Sequence, residues 1–385
     1  MPRLYKTDGE FMKLLYVITL PDLGGAQAHL LEVARAMVAD GHEVYVAVGK
    51  SGWLTEQLAE LQINTIIVAE LVREISPVKD YRVVCGIKKI IQNIRPDIVH
   101  CHSSKAGIVG RVAAWLAGVP AVFTAHGWAF TEGVPAVKRL VYSLIEHTML
   151  LCTDKVLCVS EYDHKLADKW FGYRSEKLVT VYNGVANGER SAIPSDMEKG
   201  QAELQTKELS LIMVARFAPP KEHLQLVKAA EQVLKSGYAV RCNLVGDGPL
   251  MAECAEYVRQ HNLSSQVKLL GARNDVSSLL HASDVFCLIS NYEGLPISII
   301  EGMRADLPVL ASNVGGVPEL VEDGVNGYLI NRGDTKQLAE KIICLLEDKN
   351  LLMNMGKKSR EIYLEKFTSK VMIDKIKSVY NEILQ

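Results

Sequence analysis

From residue 13 onward the chain alternates short, unbroken apolar runs with longer stretches in which apolar residues recur every three to four positions. An unbroken apolar run reads as a strand buried on both faces, and the wider spacing reads as a helix lying over it. Residues 13–20 form the first such strand, and an amphipathic helix over 26–39 stops near Gly41. Further strands are predicted over 43–48, 65–68, 98–102, 121–125, 155–159 and 178–181, with helical patterns between most of them. This alternation predicts a parallel sheet covered by helices on both faces.

Between residues 186 and 208 the pattern gives way to small and polar residues, including Pro194 and the run Asp196-Met197-Glu198-Lys199, which reads as a linker. A second alternating series follows, with strands predicted over 209–215, 241–246, 267–270, 285–289, 308–311 and 328–330, and a last helix over 370–384. A chain of 385 residues also exceeds the size at which one hydrophobic core stops growing. The expected fold is therefore α/β, with two tandem Rossmann-like, doubly wound domains. Ligands of such sheets bind beyond the carboxyl ends of the strands, so a cleft between the two domains is the expected active site.

Composition narrows the function. Lys plus Arg number 43 and Asp plus Glu 45, a formal charge of -2, which gives no support to nucleic-acid binding. The eight cysteines, Cys85, Cys101, Cys152, Cys158, Cys242, Cys254, Cys287 and Cys344, contain no Cys-x-x-Cys pair and mostly sit in apolar runs. They read as small buried hydrophobes of a reducing compartment, and the polar residues 1–11 lack a signal-peptide core, so a cytoplasmic protein is expected. Residues 112–130 carry no charge and approach the length of a membrane span, but Gly118-Val119-Pro120 interrupts them. A buried helix, a turn and a buried strand explain the segment better.

The densest candidate chemistry lies in Ile289-Ser290-Asn291-Tyr292-Glu293-Gly294-Leu295-Pro296-Ile297-Ser298-Ile299-Ile300-Glu301. A buried strand ends there, a polar loop follows, and a helix opens with Pro296 near its first position. The unpaired N–H groups of a helix start suit phosphate or sugar oxygens. Glu293 is placed in the loop, and Glu301 inside the helix among apolar neighbours, where a carboxylate needs a partner that ligand hydroxyls can supply. Either glutamate alone is an ordinary surface residue; their joint placement at a strand-to-helix turn is what points to a ligand.

Two glutamates with seven residues between them, the first followed by Gly-Leu-Pro, resemble the Glu-x7-Glu motif of glycosyltransferase family 4, retaining enzymes of the two-domain GT-B fold. The resemblance implies that Glu293 contacts hydroxyls of a donor sugar, that Glu301 holds the ribose of its nucleotide, and that the backbone across Gly294, Leu295, Pro296 and Ile297 approaches the donor. Arg216 and Lys221, in Val214-Ala215-Arg216-Phe217 and Pro219-Pro220-Lys221-Glu222, resemble the family's pair for the donor diphosphate. Fixed cations there would stabilise the negative charge that grows as the leaving group departs. Gly246-Asp247-Gly248-Pro249 resembles a Gly-x-Gly-Pro turn of the family and reads as a structural turn, since Met251 and Pro249 spoil a dinucleotide fingerprint. The loop Ser312-Asn313-Val314-Gly315-Gly316-Val317-Pro318-Glu319 matches too, and Gly24-Gly25 would bring backbone close to the donor phosphates. Val159-Ser160-Glu161 and Tyr182-Asn183-Gly184-Val185 also fit, the first as a helix cap.

Among His100, His102 and His126, the resemblance puts His126 beside the donor sugar and leaves the other two to shape the wall. No carboxylate cluster or second cysteine pair completes a metal site around them. The chain contains no Asp-x-Asp, the metal motif of the other large transferase fold, so Arg216 and Lys221 are expected to replace a metal. The resemblance implies a GT-B architecture: residues 1–187 on the acceptor side, 188–366 on the donor side, and a C-terminal helix in 367–385 packing back on the first domain. It also implies a UDP- or GDP-type nucleotide-sugar donor, no separate cofactor, and a glycan or lipid-linked acceptor. The surroundings of His126, with Trp128 and Thr131-Glu132-Gly133, resemble bacterial surface-polysaccharide enzymes. A nucleotide-sugar 2-epimerase would need an acid/base carboxylate pair in the first domain, which is not found. A non-catalytic binding subunit sits poorly with the intact Arg216, Lys221, Glu293 and Glu301. A lipid-linked acceptor would call for peripheral contact with the inner face of the membrane, for which the basic amphipathic stretch from Ile87 to Arg95 is the candidate, although it fits a core-packing helix better.

Overall fold

A computed structural model describes residues 11–131, 133–171, 175–188 and 208–385. Residues 1–10, Glu132 and most of the expected linker, 189–207, lie outside the described residues. The chain divides into two units, one formed by residues up to Gly184 together with Ser369–Gln385 and the other by Val185–Thr368.

The first unit carries strands β1 (Lys13–Ile18), β2 (Glu43–Val48), β3 (Asn64–Ile67), β4 (Ile98–His102), β5 (Ala121–Ala125), β6 (Lys155–Cys158) and β7 (Leu178–Thr180). Its helices are α1 (Gly25–Ala39), α2 (Trp53–Glu60), α3 (Pro77–Ile94), α4 (Ser104–Ala117), α5 (Ala136–Met149) and α6 (Glu161–Phe171). The sheet is parallel throughout, in the order β3-β2-β1-β4-β5-β6-β7. The central strands are buried on both faces, which is why β1 and β5 read as largely apolar or small-residue runs, while β4 buries His100 and His102 among apolar residues. The uncharged segment 112–130 resolves into the end of α4, a left-handed Gly118 at φ 69°, and β5. Ser160 caps α6: the Asp163 amide donates to its Oγ at 3.0 Å and its hydroxyl donates to Asp163 Oδ2 at 2.8 Å.

The second unit carries β8 (Glu208–Val214), β9 (Ala239–Val245), β10 (Val267–Gly271), β11 (Val285–Leu288), β12 (Val309–Ser312) and β13 (Gly327–Ile330). Its helices are α7 (His223–Lys235), α8 (Met251–Gln260), α9 (Val276–His281), α10 (Ile297–Arg304), α11 (Thr335–Glu347) and α12 (Lys349–Lys366). This sheet runs β10-β9-β8-β11-β12-β13, again all parallel. Both orders are doubly wound, with the direction of winding reversing between β1 and β4 in one unit and between β8 and β11 in the other.

Helix α13 (Ser369–Leu384) belongs to the first unit. Its Met372, Ile373, Ile376, Val379 and Tyr380 share a core with Leu30, Val33 and Met37 of α1 and with Tyr16 and Ile18 of β1. Tyr380 reaches furthest in, sharing a 2.6 Å hydrogen bond with His100 Nδ1 and donating to Tyr16 Oη at 3.4 Å. At the surface Lys155 pairs with Glu382 at 2.6 Å and Lys377 with Asp40. Five cysteines are buried and none is in a disulfide; Cys85 and Cys152 are half-buried and Cys344 is exposed.

Candidate active site

In the second unit the loops leaving β8 and β11, the strands at the winding reversal, carry most of the expected donor residues. The loop after β8 holds Arg216 and Lys221, and the loop after β11 holds Glu293. Backbone bonds join them: the Glu222 amide donates to Ile289 O at 2.9 Å and the Asn291 amide to Pro220 O at 2.9 Å. Side chains reinforce this, with Asn291 Nδ2 donating to Glu222 and Arg332 Nε donating to Asn291 Oδ1 at 2.9 Å. The result is that Lys221 Nζ donates to Glu293 Oε1, an ion pair between residues whose side chains are 18% and 10% exposed. Arg216 points into solvent from the same loop, with no side-chain partner among the described residues.

Glycines permit this loop packing. Gly315, at φ 55°, lies so close to the Glu293 carbonyl that a Cβ there would sit 1.8 Å from its oxygen. The Gly316 amide donates to Gly294 O at 3.0 Å. Gly246, at φ 138°, faces Ala215 O across 2.0 Å, and Gly248, at φ 150°, faces Phe217 O across 2.4 Å, both measured from a notional Cβ. The turn after β9 is therefore a backbone seat for the Arg216 loop. His223 fills the space beneath, stacked on Phe217 with centroids 3.8 Å apart and with its pKa pushed down to about 4 by burial.

Leu295 and Pro296 are buried and introduce α10, with Pro296 as its N-cap residue, beside the first helical position. No side chain caps this helix and no acid occupies its first turn; the Ile299 amide donates to Pro296 O at 3.2 Å, and the Ile297 and Ser298 amides are left open to an anion. Glu301 lies one turn in, half-buried. Burial raises its pKa against the opposing pull of Arg304, and its carboxylate has no hydrogen-bond partner among the described residues. A carboxyl so placed gains most from ligand hydroxyls.

In the first unit, Gly24 precedes α1 and Gly25 is its first residue, at the turn that follows β1. Gly24 is the N-cap residue in an extended conformation, with no side-chain cap, so α1 likewise presents bare amides at the carboxyl edge of the sheet. His126 follows β5 and is half-buried. Its Nε2 shares a 3.1 Å hydrogen bond with His102 Nδ1. His29 of α1 meets it edge-on with centroids 4.8 Å apart and shares a 3.0 Å hydrogen bond with Asn183 Oδ1 through its own Nδ1. His100 is satisfied by Tyr380 and, at 2.7 Å, by Thr124 Oγ1. Burial drives His29 down to about 4 and, with mutual repulsion, holds His100, His102 and His126 well below the usual range. The depressed pKa values favour neutral imidazoles; His100 spends both nitrogens on Tyr380 and Thr124, whereas a neutral His126 can donate to or accept from a ligand hydroxyl. His29, His102 and His126 bring one ring nitrogen each within 4.8 Å of one another, and Nε2 of both His29 and His102 is unpartnered among the described residues. Three neutral imidazoles are also a donor set that a zinc or copper ion can use. His29 escaped the sequence reading because it is 71 or more residues from His100, His102 and His126; its one signal is a histidine set within the apolar stripe of α1.

The sequence matches two family models, "Glycosyltransferase Family 4" over residues 23–187 and "Glycosyl transferases group 1" over residues 195–362. It is 32% identical over 97% of both chains to UDP-Gal:alpha-D-GlcNAc-diphosphoundecaprenol alpha-1,3-galactosyltransferase of Escherichia coli. The chain belongs to glycosyltransferase family 4. N-acetyl-alpha-D-glucosaminyl L-malate synthase of Bacillus anthracis is 27% identical over 97% of this chain and 98% of its own. Among solved structures, Anabaena HepE in complex with UDP and glucose superposes with a TM-score of 0.81 at 24% identity, covering 96% of this chain and 99% of that one. That likeness shows the fold, two Rossmann-like units of GT-B type. The family 4 chain is thus a glycosyltransferase whose Glu293 and Glu301 occupy a loop and helix start on one edge of the second sheet. Sequence reasoning named these two residues but not the Asn291, Glu222 and Arg332 contacts that hold the loop in place.

Proposed function

We propose that this family 4 glycosyltransferase is a retaining, metal-independent hexosyltransferase. It takes its sugar from a UDP-type donor and passes it to a lipid-linked glycan acceptor in cell-surface polysaccharide assembly. The observation that carries the reading is the meeting of Lys221 and Glu293 at the winding reversal, with Arg216 free beside them and the open start of α10 behind. Lys221 and Arg216 face the diphosphate and stabilise the charge that builds on it as the glycosidic bond breaks. Glu293 orients the sugar and Glu301 accepts from the ribose hydroxyls; in the first unit, neutral His126 is available as a hydrogen-bond partner for a sugar hydroxyl. The acceptor attacks on the leaving-group face and its proton passes to the departing diphosphate, which preserves the anomeric configuration. The galactosyltransferase of E. coli, by its name, uses a UDP sugar and a diphosphoundecaprenol acceptor, which supports the choice of donor base and acceptor class.

A thermal-shift screen with UDP, GDP, ADP and their sugars tests the donor, since a ligand of the native state raises apparent stability. UDP and a UDP-hexose should shift the transition. Transfer to a lipid diphosphate sugar should persist in excess EDTA and yield the donor's own anomer by NMR. An inverted product, loss of turnover on chelation, or no response to any nucleotide would overturn the corresponding part of the reading.

A further inference from the structure

Helix α5 is built inside out. Its buried residues are Ser143 and Glu146, and Glu146 accepts from the fully buried Arg111 of α4 at 2.7 Å. The apolar residues Val137, Leu140, Val141 and Leu144 instead face solvent, between 49% and 76% exposed, and Leu151 just beyond the helix continues them. Their spacing of three, four and seven places them on one face, a ridge about 10 Å long. In an ordinary amphipathic helix this stripe would pack on the core. Here the buried ion pair takes that place, and Arg111 also donates to Gly107 O at 2.7 Å and lies over the Phe123 ring.

The charges beside the ridge are of one sign. Lys138 is exposed, and Arg139 sits half-buried over Trp170. Glu146, the only acid on α5, is buried with Arg111, so the helix presents no exposed carboxylate. Arg139 lies on the inward face with Ser143 and Glu146, so the exposed charge beside the ridge is Lys138, and an apolar ridge with a cation at its side and no exposed acid on its helix complements an anionic lipid surface. Five partly exposed side chains, even if fully covered, bury less than the roughly 800 Å² per partner of a standard protein interface. The neighbouring α4 ends in Trp115 and Leu116, which are also exposed. By contrast α3, which holds the basic stretch noted in the sequence, buries Val83, Ile87 and Ile91 and leaves Lys89 to solvent, as a core-packing helix does. Because α5 follows β5 after His126, its first turn, with Val137, starts from the sheet edge that carries His126.

We propose that α5 is a membrane-docking helix: its Val137–Leu144 ridge enters the headgroup boundary of an anionic bilayer while the exposed Lys138 meets a lipid phosphate. This rests on the reading of a lipid-linked acceptor, whose reactive end would then be presented at the edge of the first unit.

The test is co-sedimentation of the full chain with sucrose-loaded vesicles, either pure phosphatidylcholine or three parts phosphatidylcholine to one part phosphatidylglycerol. Wild type should pellet with the anionic vesicles. Leu140→Ser with Leu144→Ser should lower partitioning by about tenfold or more, since each removes apolar area from the buried face. Lys138→Glu should remove the preference for anionic vesicles. Because the ridge is already in water, the serine variant should melt no lower than wild type and keep its UDP-induced shift. Wild type left in the supernatant, serine variants that pellet like wild type, or serine substitutions that abolish a dimer on size exclusion without touching vesicle binding would each overturn the proposal. A missing UDP shift in wild type would count against the donor reading alone and leave the vesicle result standing.

Discussion

Under the proposed mechanism Lys221 would carry two loads that can be separated, one on folding and one on catalysis. Replacing it with Met keeps the length of the side chain and removes the charge. Lys221 and Glu293 are both largely withdrawn from water. Two such charges about 4 Å apart attract by about 4 kcal/mol at the effective dielectric of a protein surface. Desolvation of both partners cancels much of that gain, so the pair itself stabilises little. Breaking it from one side is different, because Glu293 is then left without its cation, and a loss of about 2–3 kcal/mol is expected in Lys221→Met. Glu293→Gln in the same chain removes the stranded charge, so urea unfolding of the double variant should return most of the way to wild type. Turnover should not return. A fixed cation aimed at developing charge is worth about 100- to 1000-fold in kcat. The single Lys221→Met variant should therefore lose that factor, and the double variant should be as slow or slower. Unfolding curves and kcat for the two single variants and the double variant complete the cycle. Recovery of kcat in step with stability in the double variant would refute the argument, because it would make the pair a structural clasp alone.

The buried histidines of the first unit predict acid sensitivity. His29 titrates near 4 when folded against an ordinary value of 6.5, so between those pH values the unfolded chain binds more protons and stability falls as pH falls. The contribution, about 3 kcal/mol, is fully present above pH 6.5 and lost by about pH 4. Unfolding followed by circular dichroism across this window should show a shallower pH slope in His29→Gln, and an unchanged slope would remove His29 as the cause. Gly315→Ala should cost at least about 2 kcal/mol and abolish the UDP-induced thermal shift, since its Cβ would lie 1.8 Å from the Glu293 carbonyl oxygen. An alanine variant that melts and binds UDP like wild type would show that the two loops part without consequence.

The sheets were legible because their strands are buried on both faces. Strands at 43–48, 98–102 and 121–125 have the bounds that the apolar runs predict, since polar residues begin where burial ends. What spacing cannot carry is pairing across a sheet. Lys221 and Glu293 are 72 positions apart and meet only because β8 and β11 are neighbours in the strand order. Their joint role was suggested by family resemblance, and nothing in the local sequence pointed to Asn291 and Arg332 as the residues that brace the loop. Helix α5 marks a second limit. Periodicity shows that a helix has one apolar face but not where that face looks. The burial of Glu146 with Arg111, residues from two different helices, decides that this one looks outward.

The glycines of the second unit separate two kinds of signal that look alike in a sequence. Gly246, Gly248 and Gly315 all hold positive φ, and each leaves no room for a Cβ because a carbonyl of a neighbouring loop occupies the space. Ala215 and Phe217 lie against the first two, and Glu293 against the third. These glycines therefore act on the site through the backbone they admit: they let the loops bearing Arg216 and Glu293 settle at the ends of β8 and β11. Gly24 is different. Its φ of -173° is open to any residue, and a Cβ there would press, at 2.9 Å, on the Gln27 side-chain amide, which donates to Leu20 O at 2.8 Å. Gly24 leaves the start of α1 uncapped, and under the proposed mechanism a side chain there would stand between the helix amides and an anion. Gly24 is thus the glycine to test by loss of donor affinity at unchanged stability, whereas in Gly315→Ala the two are expected to fall together.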